Sequence, residues 1–306
     1  GEVNKTYALS YQDPYWTDDG VSRTFGAYRK DVNTSDLSTA SYNTFSYGTN
    51  IDFTIPLSEY NSIAFGATLD LTDIELGANA TQDYIEYCRS ISGSTTATDC
   101  NSDSLSVSAS YGKDTRNNAQ FPTAGQVFRT TAQVGLPVFD MNYYILSGKA
   151  EKYWPIDGGM SFKLKGTVGL ADAYGDKKFP FFKNFFMGGA TTIRGYDQAS
   201  VGEKTLNIAT GELETTGGKT SLLGSAELFF PPPGLKNVQS FRLSTFVDGG
   251  GVFKNGIDGD VARFSAGIGA VWLSPFGPLS ITYAKPLNEG TNDKVTELQF
   301  GMGGAF

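Results

Sequence analysis

Histidine is absent from all 306 residues. That removes the side chain most often used as a general base or metal ligand near neutral pH, and it excludes a Ser-His-Asp hydrolase and a His-ligated zinc centre. Cysteine is nearly absent too: Cys88 and Cys100 are the two present, which rules out a cysteine metal cluster. No metal and no cofactor are expected. Basic residues are outnumbered, with 24 Lys and Arg against 32 Asp and Glu and a net charge of −8. With no basic stripe to neutralise phosphates, nucleic acid is not an expected partner. Long apolar runs are also missing, and none approaches the ~18 consecutive residues of a membrane-spanning helix. The start, Gly1-Glu2-Val3-Asn4-Lys5, is polar rather than signal-like, so an exported protein would be a mature or trimmed chain.

Phe (22), Tyr (16) and Gly (37) are plentiful, and the apolar residues recur with a period of two. Phe162, Leu164, Gly166, Val168 and Leu170 alternate with Lys163, Lys165 and Thr167. Phe264, Ala266, Ile268, Ala270 and Trp272 alternate with Arg263, Ser265, Gly267 and Gly269. Leu279, Ile281 and Tyr283 repeat the pattern, as do Leu298, Phe300, Met302 and Phe306. These are strands with one apolar and one polar face. No window of comparable length favours a helical period.

Short connections fall at 13–20, 56–60, 154–159, 231–239 and 274–278. Long ones fall between them, at about 31–46, 74–103, 172–219, 250–260 and 286–294. Antiparallel strands put successive connections at opposite ends, so one end carries tight turns and the other large loops. Aromatic residues (Tyr15, Trp16, Tyr153, Trp154 and Trp272) lie near strand ends. The pattern predicts an all-β chain, a transmembrane antiparallel β-barrel of about thirteen strands. A soluble β-sandwich also alternates, but its loops carry no such asymmetry. Small residues on the polar faces suit a curved, crowded lumen. The two cysteines flank the polar stretch SISGSTTATD. They are read as a local disulfide in an oxidising compartment rather than as two unrelated small residues.

Several motifs carry a resemblance. They are DPYWTDDGVS at 13–22, FPTAG at 121–125, FFKNFFMGGATTIRGYD at 181–197, SAELFFPPP at 225–233, FVDGGGVF at 246–253, FSAGIGAVWLSPFGPLSITYAKP at 264–286 and the terminal ELQFGMGGAF. Together, and in this order, they resemble the BamA family of barrel-assembly proteins and its superfamily of protein-inserting and protein-secreting barrels. The resemblance implies a sixteen-strand family barrel, of which residues 1–306 would supply about thirteen strands. The periplasmic POTRA domains and the first strands would then be absent, and with them half of the family's lateral gate.

The resemblance also implies that the long loop before SAELFF folds into the lumen, with Ile193-Arg194-Gly195-Tyr196 at its tip. Parity bears on this separately. Leu222, Ala226, Leu228 and Phe230 share the apolar face, so Ser225 and Glu227 point inward. Leu243, Val247 and Phe253 read as outward, and Arg242, Ser244 and Asp248 as inward. Two neighbouring carboxylates repel and call for a cation, and the planar fork of Arg194 can bridge them. Taken alone, Glu227 and Asp248 also fit charges coating a wet lumen, or a catalytic pair of glycosidase type. The motif match favours the bridge. Gly195 would permit close backbone approach, and Tyr196 either packs on the wall or is a loop aromatic without a role. At the other end of the chain, Phe306 closes the terminal strand as an insertion signal would. Gly303 is either a kink at the family's seam or a small lumen-facing residue.

The function implied is non-enzymatic, with no catalytic residues: an integral protein of a Gram-negative outer membrane that folds and inserts other barrels. Its partners would be unfolded outer-membrane clients, accessory lipoproteins of the assembly complex, and outer-membrane lipids with lipopolysaccharide. The alternative is a polypeptide-secreting or passive pore.

Overall fold

The computed structural model describes residues 4–34, 42–77, 80–94, 99–207, 211–234, 240–275, 277–290 and 292–302. The first half of the chain comprises β1 (Asn4–Asp13), β2 (Ser22–Asn33), β3 (Tyr42–Pro56), β4 (Asn61–Leu76), helix α1 (Gln82–Ser92), β5 (Asp99–Asn101), β6 (Ser104–Asp114), β7 (Gly125–Gly135) and β8 (Tyr143–Ile156). The second half begins with β9 (Met160–Ala173) and continues through the short β10 (Gly195–Tyr196), β11 (Lys204–Leu206) and β12 (Leu213–Thr215). It ends with β13 (Thr220–Phe230), β14 (Phe241–Phe253), β15 (Arg263–Ser274), β16 (Gly277–Pro286), the short β17 (Val295–Thr296) and β18 (Leu298–Met302). Thirteen strands form one antiparallel path in the order β1-β2-β3-β4-β6-β7-β8-β9-β13-β14-β15-β16-β18, with β5 paired to β4 off the path.

The period of two becomes two faces. On β9, Leu164, Val168 and Leu170 are exposed while Ser161 and Lys163 are buried. On β15 and β18, Phe264, Ile268, Trp272, Leu298 and Phe300 are exposed. Val247 on β14 is exposed and Leu243 half-buried. The exposed apolar face thus lies outside, and the polar face looks into an interior that the β9–β13 connection enters. In a soluble fold that exposure would be an aggregation hazard; against hydrocarbon it is the solvent-matched face.

Four local expectations need correction. First, a helix exists. Tyr84, Tyr87 and Cys88 of α1 are buried against Tyr42, Ile74, Cys100 and Phe181, and Tyr84 stacks on Phe181 with ring centroids 3.9 Å apart. Their i, i+3, i+4 spacing is an amphipathic signal confined to one short element. Cys88 therefore sits on a helix, not in a polar loop. Second, Phe253 is buried rather than lipid-facing, because it ends β14 opposite Thr220, where the backbone at Gly218 closes over it. Third, Tyr153 belongs to no outer girdle. Its neighbour Trp154 faces out, so Tyr153 faces in, buried, with its hydroxyl donating to Glu151 at 3.1 Å. Fourth, the alternation of connection lengths is imperfect: a tight connection at 136–142 lies on the long-loop end, and the connection at 115–124 on the opposite end is broad.

Candidate functional site

The connection between β9 and β13 closes on itself before it reaches the wall. At its root Phe185 and Gly218 exchange backbone hydrogen bonds of 2.9 and 3.0 Å. Farther in, Val201 N–H donates to the Met187 carbonyl at 2.9 Å, and Gly189 N–H to the Tyr196 carbonyl at 3.1 Å. Met187, Ile193, Tyr196 and Val201 bury together against Leu223 and Val252 of the wall. A loop with paired backbone and its own apolar core can hold a charged tip in one place.

That tip carries Arg194. Its Nε and Nη2 donate to the two oxygens of Asp248 at 2.7 and 2.8 Å, and its Nη1 donates to Glu227 Oε1 at 3.0 Å. The Arg194 backbone N–H also donates to Asp248 at 3.2 Å. The guanidinium carbon lies 3.2 Å from the centroid of the Phe246 ring, so one face stacks while the edge makes the forked ion pair. Asp248 is fully buried and the Arg194 side chain 11% exposed.

Three participants were not singled out from the sequence. Lys163 Nζ sits 2.8 Å from the other oxygen of Glu227. Ser225 Oγ donates to Asp248 Oδ1 at 2.6 Å. Gln299 on β18 accepts from Gly195 N–H at 3.3 Å and donates to the Tyr196 carbonyl at 2.7 Å. Parity alone places Lys163 and Gln299 inward, and the register Glu227↔Lys163 sets the first pair. Nothing short of the folded loop connects Gln299 to Tyr196. The two acids thus meet two cations, and the repulsion between carboxylates is offset locally.

Gly195 has φ 91°, and a Cβ there would meet the Ala284 carbonyl oxygen at 3.0 Å. The close approach is to β16, while β10 pairs with β17. Tyr196 is fully buried, and its hydroxyl donates to the Phe264 carbonyl at 3.4 Å. The FPTAG turn is held from the lumen side as well. Arg242 donates to the Pro122 and Phe121 carbonyls at 3.1 and 3.3 Å, and its guanidinium lies between the Phe121 and Phe229 rings. Between that turn and the Arg194 tip lies a cavity of about 220 Å³ lined by Lys163, Lys165, Glu227, Phe229 and Arg242.

On the long-loop end, Asp293 accepts from Gly290 N–H at 2.7 Å, from Lys204 Nζ at 2.9 Å and from Arg263. Burial raises the Asp293 carboxyl, but the Arg263 and Lys204 hydrogen bonds outweigh it and hold the group below its ordinary range. Cys88 and Cys100 are bonded, with Cα atoms 5.3 Å apart, and the bond joins α1 to β5. Gly303 and Phe306 lie outside the described residues. Among the described residues no group of three or more His, Cys, Asp or Glu converges as metal ligands would.

Comparison with known proteins fits this geometry. The Omp85 superfamily domain matches residues 1–306. The chain belongs to the Omp85 superfamily. Outer membrane protein assembly factor BamA of Neisseria meningitidis is 30% identical to this Omp85 chain over 98% of the chain and 41% of that protein. A SAM50-like protein of Schizosaccharomyces pombe is 25% identical over 65% of the chain and 44% of that protein. The crystal structure of BamA from Haemophilus ducreyi lacking POTRA domains 1–3 superposes with a TM-score of 0.90 at 26% identity, covering 98% of this chain and 62% of that one. The Omp85 chain described here thus spans between 41% and 62% of the length of these relatives.

Proposed function

We propose that this Omp85 chain is the membrane-embedded part of an insertase that folds client β-barrels into the outer membrane of a Gram-negative bacterium, without covalent chemistry. The observation that carries the reading is the loop tip: it grips β13 and β14 through Arg194 and β18 through Gln299, in a chain that matches the BamA barrel over 98% of its length. The lock ties β13 and β14 to β18 through one loop tip. Among the described residues β18 pairs β16 from Leu279↔Met302 to Tyr283↔Leu298.

The proposed seam lies at β18, the last described strand. Opened, it presents N–H and C=O groups that hydrocarbon cannot satisfy, at several kcal/mol each. An incoming client strand satisfies them by β-augmentation. Unfolded outer-membrane proteins are the clients on this reading. Accessory lipoproteins and lipopolysaccharide are its further partners.

The test is the folding rate of a client barrel in liposomes, read by its heat-modifiable gel shift, with and without the reconstituted chain. Acceleration that falls in Arg194→Ala supports the insertase. Steady conductance in planar bilayers with no acceleration would instead identify a pore.

A further inference from the structure

We propose that Arg23 and Trp16 form a binding site for the phosphodiester of a membrane glycerophospholipid, at the tight-turn end of the outer wall. The proposal rests on the outward apolar surface facing lipid and is independent of the insertase reading. Arg23 is the second residue of β2, just after the β1–β2 turn. It shares an outward face with Phe25, which is exposed and pairs with exposed Tyr11. Short turns of outer-membrane barrels face the periplasm, so Arg23 stands at the level of the periplasmic-leaflet headgroups.

The side chain is held but not satisfied. Its guanidinium carbon lies 5.1 Å from the centroid of the Trp16 ring and 5.0 Å from that of Phe25. Trp16 folds back from the turn onto Phe53, the register partner of Arg23, at 5.2 Å. Yet the Arg23 guanidinium donates no hydrogen bond among the described residues. Its Nε is buried with no acceptor, and the nearest carboxylate, Asp13, is 3.9 Å away. Several other arginines have found acceptors: Arg29 on the same face is forked onto Asp31 at 2.9 and 3.1 Å, and Arg194 and Arg242 are engaged inside.

Asp13 pairs with Arg23 Nη2 at 3.9 Å, beyond hydrogen-bond reach, so the terminal Nη donors of this rim guanidinium remain for an anion from outside the protein. The guanidinium fork matches two phosphate oxygens, and indole rings settle at the headgroup level. A second pair marks the same level farther round the wall. Lys152, outward on β8, lies over Trp154 at 5.1 Å, and Trp154 faces Phe162 at 5.7 Å. Lys152 has a flexible point charge rather than a fork, so the assignment is made to Arg23.

The experiment uses the full chain in micelles, with dioleoylphosphatidylglycerol added and retained lipid counted by native mass spectrometry. Arg23→Gln is expected to lower the retained fraction about tenfold, the loss appropriate to one charged hydrogen-bonding group. Arg23→Lys should lower it less, and Arg29→Gln should leave it unchanged. Equal retention in wild type and Arg23→Gln overturns the site, as does displacement of the lipid by inorganic phosphate. A second measurement needs no variant. Wild-type chain is placed in bilayers of phosphatidylglycerol or of a phosphate-free galactolipid and treated with phenylglyoxal, and modified peptides are quantified. Arg23 should be protected in the first bilayer alone; equal modification in both overturns the proposal. Recovery of the chain with both bilayers checks membrane insertion separately, and client folding is not involved.

Discussion

Gln299, on the last described strand, donates to the Tyr196 carbonyl at 2.7 Å and accepts from Gly195 N–H at 3.3 Å. One side chain therefore satisfies both backbone groups at the tip of a loop more than a hundred residues earlier in the chain. Arg194, the residue before, holds the opposite flank through Asp248 and Glu227. The tip is a strut between two parts of the wall.

Replacing Gln299 by Leu should leave the Gly195 N–H without its side-chain acceptor and take one of two donors from the Tyr196 carbonyl, which keeps the Gly189 N–H, at ~1–3 kcal/mol for a buried group left unpaired. The expected outcome is a lower temperature for the gel-shift transition and faster proteolysis within 172–219, with unchanged strand content by circular dichroism. Gln299→Glu keeps the acceptor but sets a carboxylate oxygen against the Tyr196 carbonyl in a buried place, so its effect should be no smaller. Equal protease resistance in Gln299→Leu and wild type would remove the strut.

Breaking the Arg194 pair by removing one partner typically costs ~3–5 kcal/mol when the pair is buried, and lumen water should bring the value toward the lower end. Arg194→Ala should slow the chain's own assembly and expose 172–219 to protease without abolishing the barrel. Asp248→Arg should be worse, since it adds repulsion to a lost contact. Glu227→Gln should be milder than Asp248→Asn, because Asp248 takes both arms of the fork. The double variant Arg194→Glu with Asp248→Arg should recover part of the assembly rate, measured by pulse-chase gel shift. No recovery would mean the pair acts through something other than direct contact.

Gly195→Ala tests shape rather than charge. The residue has φ 91° and a Cβ would sit 3.0 Å from the Ala284 oxygen, so both strain and overlap oppose the substitution. Its protease pattern should match that of Arg194→Ala although every charge remains. A wild-type pattern would show that the tip has room to spare.

Asp293 supplies a pH dependence. Its carboxyl is held below the ordinary value of about 3.9 by Arg263 and Lys204 against the effect of burial. The anchoring it gives the 287–297 connection is therefore fully present above about pH 4 and lost as pH falls through the depressed folded value. Hydrogen exchange in that connection should accelerate in acid once the intrinsic pH effect is removed. Asp293→Asn should show the faster exchange at neutral pH already, with a flatter acid response. An identical acid response in both proteins would exclude Asp293 as the titrating group.

The Cys88–Cys100 bond closes a short segment at the long-loop end. Replacing both by serine should leave the gel shift and strand content intact, because the wall does not depend on α1. The expected change is local: protease cuts between 80 and 103 should appear, as they should in wild type under reductant. Loss of the folded barrel in the double serine variant would show that α1 has a larger part in folding.

What the sequence determined by itself is whatever depends on alternation along one strand. Successive side chains of a strand point to opposite faces, so Glu227, Asp248, Lys163 and Gln299 were inward, and Val247, Ile268 and Phe300 outward, as soon as the strands were recognised. The same rule places Tyr153, the neighbour of outward Trp154, inside. Elsewhere the local pattern ran out. Helix α1 has its apolar positions at Tyr84, Tyr87 and Cys88, but eleven residues form a stable helix only against Tyr42 and Phe181, which come from other parts of the chain. Phe253 kept the outward parity of its strand and was buried by the neighbouring loop root. Only the tertiary structure decided that Lys163 completes the charge balance of Glu227, that Arg242 holds the FPTAG turn, and that Gln299 meets Tyr196. Those contacts depend on strand register and on the path of one long loop, and both are set by burial and hydrogen bonding summed over the whole wall rather than by any residue's near neighbours.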